Sequence, residues 1–391
     1  MLSMIGRERA SVQTPFSPDH GHGPPGRAAQ REPRVNPTRI AVGGEHAYEV
    51  VVGTDVLGEL PSLVGPRART AAVIHPRSLA AIAQRARHVL TGAGYLVPAL
   101  EIPDGEAAKD IDVVAGLWSR LAQQRVTRFD AIVGLGGGAA TDAAGFTAAT
   151  WLRGVRVVLV PTTLLGMADA AIGGKTAVNI PAGKNLVGAF HPPAGVLADL
   201  AALATLPTAE YVSGLAEVIK AGFIADPVIL ELIESGPQAA ARPGGPHERE
   251  LIERAVAMKA GVVCVDLREA GQREMLNYGH TLGHAIERAE GYRMRHGEAV
   301  AIGMVYAAEV ARLAGRLDEP TARRHRAVLT AVGLPTRYRA GAWPRLRETM
   351  AVDKKTRAAS LRLVVLDSLA RPAILADPPE ELLARAYAEV C

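Results

Sequence analysis

A row of polar residues in the segment REMLNYGHTLGHAIERAEG has the spacing of one helical face. Its members follow one another at intervals of four, three and four residues and are Arg273, Asn277, His280 and His284. In a continuous α-helix these intervals place all four side chains within about 60° of arc. Apolar residues between them favour burial, so we predict that the row lines a cavity and binds ligands there. For the histidine pair alone, a solvated helix face is an equally good explanation.

The two histidines have the spacing of the zinc-protease motif HExxH but lack its glutamate. Thr281 follows His280 in this chain, so the residue that would act as the protease base is missing. The sequence therefore disfavours peptide hydrolysis.

Three separate segments together predict a metal site. Glu217 and Lys220 share a helical face in GLAEVIKAGF, and their apolar neighbours favour burial over a surface ion pair. His296 begins the helix after the histidine pair, and the short loop before it is able to fold it back towards His280. Glu217, His280 and His296 then form a His₂Glu set with positions left open for substrate, the pattern of catalytic zinc.

A glycine turn and the loop upstream of it are candidates for binding a dinucleotide. The apolar strand DAIVGLGGG runs into Gly136, Gly137 and Gly138 and then into a helix, where backbone amides suit a pyrophosphate. The turn departs from the GxGxxG fingerprint of dinucleotide-binding proteins. Close packing between the strand and the following helix explains the glycines equally well. Glu106 and Lys109 precede another helix, a placement that suits ribose hydroxyls and also a capped surface helix.

A second glycine-rich segment carries cations. In IGGKTAVNIPAGKNLVGAF we expect Lys175, Lys184 and Asn185 to lie in loops between glycines, which allow phosphate or carboxylate oxygens to approach closely. The segment predicts an anionic substrate, with a solvated basic loop as the alternative.

The composition is that of a globular protein with more than one domain. The chain has 391 residues, of which 48% are hydrophobic and 21% charged. Its apolar runs are shorter than the roughly 20 residues of a membrane helix, and no secretory signal is recognised, so we expect a cytoplasmic protein without membrane contact. Only two cysteines occur, which rules out a cysteine-rich zinc site. A net charge of +4 and 4% aromatic residues give no case for nucleic acid.

The pattern along the chain predicts an extension and two domains. Residues 1–37 are rich in proline, glycine and charge and are expected to be disordered. Residues 38–207 alternate short apolar strands with helices, which predicts an α/β domain with parallel strands. Residues 208–391 are mostly helical, apart from one strand pair near LRLVVLDSLARPAIL. A ligand site is expected between the two domains.

Taken together, the motifs resemble those of the 3-dehydroquinate synthase family, a branch of the sugar-phosphate cyclases, from Thr38 to Cys391. They are, in chain order, PDGE..K, GGG...D, RGVR..LVPTTLL, GGKT....GKN..GAF, LPTAEYVSGLAEVIK, REAGQREMLNYGHTLGHAIE, HGEAVAIGM and DKKT. The resemblance implies a Rossmann-like amino-terminal NAD-binding domain and a mostly α-helical carboxyl-terminal domain that binds metal and substrate. It also implies cyclisation of 3-deoxy-D-arabino-heptulosonate 7-phosphate, an anionic sugar phosphate, to 3-dehydroquinate with loss of phosphate. The implied cofactors are NAD and Zn²⁺ or Co²⁺, and a homodimer is compatible with the sequence.

The resemblance also assigns residue roles. The implied metal ligands are Glu217, His280 and His296. The implied NAD-binding set is Glu106, Lys109, Gly136, Gly137, Gly138, Asp142, Thr162, Thr163, Asp169, Lys175, Lys184 and Thr205. The implied substrate-binding set is Arg153, Lys175, Lys184, Asn185, Lys220, Lys259, Arg273, Asn277 and Lys354. The implied catalytic set is Glu269, His284, Lys175, Arg273 and Asn277, with proton transfer assigned to Glu269 and His284.

Other functions are weighed against these residues. A metal-dependent polyol dehydrogenase would accumulate NADH and has no use for so many phosphate-directed cations. Cyclases that make valiolone or inosose skeletons are expected to lose parts of the GGKT, GKN and Arg273 to Asn277 set, which this chain keeps. A non-catalytic NAD or metal sensor would be credible if the histidine row were broken. An aminodehydroquinate synthase would keep the same residues, so the sequence leaves that reading open.

Overall fold

The computed structural model describes residues 36–269, 271–356 and 361–391, without the side chains of residues 351–356. The predicted disordered extension therefore lies outside the described residues, except for its last two positions. The side chain of Lys354 also lies outside them.

A seven-stranded sheet forms the amino-terminal half, in the order β1-β2-β9-β6-β5-β3-β4. The strands of the structure are β1 Thr38–Val42, β2 Tyr48–Gly53, β3 Ala71–Pro76, β4 Ala99–Ile102, β5 Ala131–Gly136, β6 Arg156–Pro161, β7 Lys175–Ile180, β8 Gly183–Phe190, β9 Gly195–Asp199, β10 Arg362–Ser368 and β11 Arg371–Ala376. Strands β3, β5 and β9 are buried along their whole length, as expected for parallel strands covered on both faces. The prediction of parallel strands holds for all members of this sheet except β1. The short connection between β1 and β2 allows only antiparallel pairing.

Helices cover the sheet and build the carboxyl-terminal half, which confirms the predicted fold class. Those of the first half are α1 Leu60–Val64, α2 Ala80–Gly92, α3 Ile111–Gln123 and α4 Gly138–Thr150. Those of the second half are α5 Thr208–Ile224, α6 Pro227–Glu234, α7 Pro237–Ala240, α8 Glu248–Val265, α9 His280–Ala289, α10 His296–Leu313, α11 Glu319–Ala331, α12 Trp343–Thr356 and α13 Glu380–Glu389. Helices α5 and α10 are apolar and buried on nearly every side, so they form the centre of this half. The late strand pair is present as the β10–β11 hairpin.

The cation-bearing glycine segment is a β-hairpin, so the prediction of loops for Lys175, Lys184 and Asn185 is wrong. Lys175 begins β7, and the other two lie at the start of β8. Thr176 and Val178 alternate with more exposed neighbours and are buried, which gives β7 a packing face. Gly174 and Gly188 permit close approach to neighbouring backbone, and Gly188 does so within strand β8.

No helix within the described ranges is both long and apolar enough to cross a membrane.

Candidate active site

Three helices bring the predicted metal ligands together. Glu217 lies in the middle of α5, while His280 and His296 are the first residues of α9 and α10. Glu217 Oε1 lies 3.6 Å from His280 Nε2 and 3.4 Å from His296 Nε2. Ligand atoms of the three residues all lie within 4.8 Å of one another. We call this group the metal triad, and its spacing suits a single ion held by one oxygen and two nitrogens.

Glycine contacts between α9 and α10 set the positions of the two histidines. Gly279 has φ +79°, a left-handed conformation that ends the preceding segment and lets α9 begin at His280. A Cβ on Gly279 would lie 2.9 Å from Met304 N, and a Cβ on Gly303 would overlap the carbonyl oxygen of Gly279. The two backbones therefore touch directly, and this contact holds both histidines beside α5.

We expect Gly303→Ala to destabilise the protein by about 1–3 kcal/mol, because the added methyl group meets backbone that must shift. Gly116→Ala in α3 is the matched control, since a Cβ there meets nothing within 4 Å. The control is expected to raise stability by about 0.5–1 kcal/mol, as Ala does relative to Gly inside a helix. Urea unfolding of both variants measures this difference. Equal stabilities would show that the α9–α10 contact is not tight.

The four polar residues of the sequence row do not share one helix, so that prediction is wrong. Arg273 and Asn277 lie on the 3₁₀ helix Gln272–Asn277, and the left-handed Gly279 separates this segment from α9. Arg273 is only 2% exposed, and its Nη1 donates to the carbonyl oxygens of Leu267 at 2.5 Å and Gly173 at 3.3 Å. Its guanidinium is thus anchored at the start of the β7–β8 hairpin.

The carboxylate of Glu217 fits a cation. Both oxygens are buried, and neither has a hydrogen-bond partner of good geometry among the described residues, although the Lys220 ammonium forms an ion pair with it. Burial raises the pKa of this carboxyl, but Lys220 and the two imidazoles outweigh burial and hold that pKa well below its ordinary value. An anionic carboxylate with unsatisfied oxygens beside two ring nitrogens is the donor set that a divalent metal ion prefers.

The pKa values of the two imidazoles are shifted in opposite directions. Burial, followed by the charge of Lys220, lowers the pKa of His280 well below its usual value, so the ring is neutral. Its Nδ1 lies 3.1 Å from the Tyr278 carbonyl oxygen, which leaves Nε2 free to donate its lone pair to a metal. Burial also lowers the pKa of His296, but the contacts and charges of the Glu217 and Glu287 carboxylates together outweigh burial and raise that pKa to about 10.

Two buried lysines lie beside the metal triad. Lys220 Nζ donates to the Leu276 carbonyl oxygen at 2.7 Å. Lys259 Nζ donates to Asp169 Oδ1 at 2.8 Å, and Asp169 lies in a π-helical turn, Gly166–Ala170. Burial lowers the pKa of Lys259. Burial raises the pKa of Asp169, but the charges of Lys259 and Lys220 and the hydrogen bond from Lys259 together outweigh burial and lower that pKa. The site therefore places two buried amino groups, each paired with a carboxylate, next to the metal triad, where they suit contacts with an anionic substrate.

The predicted catalytic carboxylate of Glu269 is held from two sides. It forms an ion pair with Lys175 of β7 and accepts a hydrogen bond from Asn277 Nδ2 at 2.8 Å. Glu269 has φ +58°, an uncommon backbone conformation for a non-glycine residue. The structure thus brings Lys175, Glu269 and Asn277 together, as the sequence predicts for residues of one site.

Part of the predicted NAD-binding set also converges. The buried Lys109 ammonium bonds Asp142 Oδ2 at 2.5 Å and also bonds the side-chain oxygen of Asn185. Burial raises the pKa of Asp142, with Lys109 acting in the opposite direction. Glu106 Oε1 accepts from Asn179 Nδ2 at 2.7 Å and lies 3.4 Å from Lys184 Nζ. These contacts tie the 3₁₀ helix Gly105–Lys109 to α4 and to the β7–β8 hairpin.

The glycine turn after β5 has no room for side chains. A Cβ on Gly137 would lie 3.1 Å from Thr163 Cγ2, and a Cβ on Gly138 would lie 3.2 Å from Ala170 Cβ. Thr162 is buried, and its N–H donates to the Gly136 carbonyl oxygen at 2.9 Å. The amino terminus of α4 is therefore bare backbone, as anion binding there requires.

Other predicted residues are less closely connected. Arg153 is exposed in the turn that follows α4. Thr205 is also exposed, and its hydroxyl donates to the Ala202 carbonyl oxygen at 3.2 Å. No described contact connects either residue with the metal triad or with the buried lysines. His284 is exposed, and its ring centroid lies 5.1 Å from that of His280.

Sequence reasoning missed three residues of this region. Glu287 lies 3.4 Å from His296 Nδ1, and its position seven residues after His280 was the available signal. Tyr48 Oη accepts a hydrogen bond from Gly173 N at 2.9 Å, and the ring of Tyr292 lies 4.0 Å from Lys184 Nζ. No motif distinguishes either tyrosine.

Comparisons with known proteins agree on one family. Residues 99–213 match the model of the amino-terminal domain of 3-dehydroquinate synthase, and residues 214–356 match that of its carboxyl-terminal domain. A 3-dehydroquinate synthase of Thermobifida fusca is 66% identical over 354 residues, which are 90% of this chain and 96% of the relative.

Two solved structures of cyclases share the fold. A 2-deoxy-scyllo-inosose synthase complexed with carbaglucose-6-phosphate, NAD⁺ and Co²⁺ has a TM-score of 0.81 at 27% identity and covers 91% of this chain and 100% of its own. A 2-epi-5-epi-valiolone synthase from Streptomyces hygroscopicus with NAD⁺ and Zn²⁺ bound has a TM-score of 0.81 at 26% identity and covers 90% of this chain and 99% of its own.

Proposed function

Because the chain belongs to the 3-dehydroquinate synthase family, we propose that the residues around the metal triad carry out the family's cyclisation. The activity is that of a lyase in the shikimate pathway of aromatic amino acid biosynthesis, which converts 3-deoxy-D-arabino-heptulosonate 7-phosphate to 3-dehydroquinate and phosphate. Identity of 66% to a 3-dehydroquinate synthase, against 26–27% to the inosose and valiolone cyclases, favours this substrate over theirs. The main support for placing the active site here is the buried carboxylate of Glu217, which faces two imidazoles and has no hydrogen-bond partner among the described residues.

The metal triad is the proposed site of Zn²⁺ or Co²⁺, and the glycine turn before α4 is part of the proposed site of NAD. Solved structures of related cyclases hold NAD⁺ together with one of these ions, which supports both assignments. When bound, the metal supplies Lewis-acid polarisation of a substrate hydroxyl, and the dinucleotide supplies reversible hydride transfer. Bare amides at the amino terminus of α4 suit the pyrophosphate.

The cations of the site are proposed to bind and orient the substrate. Phosphate and carboxylate groups suit the ammonium groups of Lys220 and Lys259 and the guanidinium of Arg273, all of which are nearly inaccessible to solvent. Holding both ends of a flexible chain fixes it in a shape that favours ring closure. Arg153 and Lys354 keep their predicted role in substrate binding.

Glu269 and His284 are the proposed proton-transfer groups. Lys175 and Asn277 hold the Glu269 carboxylate in one orientation, which favours transfer at a fixed substrate atom. The exposure of His284 allows its proton to exchange with solvent.

We place the domain boundary at Thr208, where α5 begins. The homodimer and the cytoplasmic location stay predictions.

The reaction is tested with purified protein, Zn²⁺, substoichiometric NAD⁺ and the heptulosonate phosphate. We expect many molecules of phosphate and 3-dehydroquinate per NAD⁺ and no accumulation of NADH, because the hydride is returned in each turnover. Growth of nicotinamide absorbance in proportion to product would instead indicate a dehydrogenase. The amino-substituted heptulosonate phosphate is assayed in parallel, and a higher kcat/KM for it would assign the chain to aminodehydroquinate synthesis.

A further inference from the structure

Glu287 belongs to none of the proposed metal-, NAD- or substrate-binding sets, yet it contacts His296 of the metal triad. It lies on α9 seven residues after His280, and its side chain is 16% exposed. Its Oε1 lies 3.4 Å from His296 Nδ1, on the opposite side of the ring from the nitrogen that faces Glu217. The His296 ring is therefore held between two carboxylates.

The contact determines which ring nitrogen carries the proton. A neutral imidazole has one N–H, and a ring that offers Nε2 to a metal must keep its proton on Nδ1. A carboxylate acceptor at Nδ1 favours that tautomer, fixes the ring orientation and raises the basicity of Nε2. In His280 the Nδ1 atom faces a neutral acceptor instead, the Tyr278 carbonyl oxygen. The two histidines thus differ in the charge of the group that faces Nδ1.

From this geometry we infer that Glu287 is a positioning residue that strengthens metal binding through His296. The inference rests on the metal site of the proposed function. Glu287 is also close to His284, because ligand atoms of His284, Glu287 and His296 lie within 4.8 Å of one another. A role through His284 would change turnover without changing the affinity for metal, so the two roles are separable by experiment.

The test uses full-length protein stripped of metal with a chelator. Zn²⁺ affinity is measured by competition with a chromophoric chelator, and the visible spectrum of the Co²⁺ form reports the ligand field. For Glu287→Ala we expect the Kd for Zn²⁺ to rise about 10–100-fold, as for other groups that support a metal ligand, and the Co²⁺ spectrum to change. Glu287→Gln keeps the size of the side chain and an acceptor oxygen, so we expect an intermediate loss of affinity.

Glu290→Gln is the matched control. Glu290 follows α9 and is nearly buried, and it accepts a hydrogen bond from Tyr338 Oη at 2.6 Å; its described contacts include no member of the metal triad. We expect it to bind Zn²⁺ within about twofold of wild type. Wild-type Zn²⁺ affinity and Co²⁺ spectrum in both Glu287 variants would overturn the inference, whatever happens to turnover. Failure of the metal site itself is distinguishable, because the wild-type protein would then not bind Zn²⁺, or Glu217→Gln would bind it equally well.

Discussion

Glu217→Gln is expected to abolish turnover and to release the metal, because it removes the only anionic ligand of the metal triad. Changes to groups that merely support a ligand cost about 10–100-fold in metal affinity, so loss of a direct ligand is expected to cost more than about 100-fold. The amide has nearly the same size as the carboxylate, so the surrounding packing is kept. Metal content after gel filtration and kcat with added Zn²⁺ measure the effect.

The control for this experiment must also remove a buried glutamate from an ion pair. Glu309→Gln in α10 does so, since Glu309 is 9% exposed and pairs with Arg312. It lies thirteen residues after His296, about 20 Å along the helix at 1.5 Å per residue. We expect this variant to keep its metal and its activity even if it unfolds at a lower temperature. Full metal content and wild-type turnover in Glu217→Gln would show that the ligand assignment is wrong.

Arg273→Lys is expected to lower kcat/KM by at least about tenfold, equivalent to roughly 1.4 kcal/mol of transition-state binding. The guanidinium is planar, and its Nη1 is anchored on two carbonyl oxygens; in the proposed role another of its nitrogens binds the substrate carboxylate. The ammonium of a lysine keeps the charge, but it cannot bond to the two carbonyl oxygens and bind the substrate carboxylate at the same time. Metal and NAD⁺ binding are expected to survive, because Arg273 is not a member of either proposed set in the structure. Steady-state kinetics and equilibrium binding measure the two effects.

Arg362→Lys controls for the loss of a guanidinium fork near the same 3₁₀ helix. Arg362 forms a two-point ion pair with Glu274, but it is half exposed and outside the site. Its replacement is expected to change kcat/KM by less than about twofold, as for most surface ion pairs. A decarboxylated substrate analogue should bind to wild type more weakly than the substrate does. Its affinity should differ little between wild type and Arg273→Lys. Equal activity of that variant and wild type would refute the carboxylate assignment.

The metal triad was predictable because each of its members lies in a recognisable local pattern. Glu217 lies in an apolar helix, where a buried acid is unusual, and His280 and His296 lie in two successive helical segments that a short loop connects. What the sequence does not contain is the crossing of α9 and α10 through glycine backbones. That crossing depends on contacts between residues far apart in the chain, which periodicity does not report.

The wrong predictions have equally specific causes. The spacing from Arg273 to His284 predicts one helix, whereas Gly279 in a left-handed conformation separates the two halves of the row. The hairpin was missed because its many glycines conceal the alternation of Thr176 and Val178. In the first case a glycine ends a helical segment that the spacing predicts to be continuous. In the second case glycines that suggest loops lie instead in strands or in close packing contacts.

The β7–β8 hairpin contacts residues of both proposed ligand sites, so we expect binding at the two sites to be linked. Its Lys175 end is paired with Glu269, and its Asn185 end is bonded to Lys109. A dinucleotide that rearranged the Lys109 contacts would move the hairpin that also presents Lys175, and would thereby change the free energy of substrate binding. Linkage is reciprocal, so the substrate must change the affinity for the dinucleotide by the same factor, whichever of the two binds first.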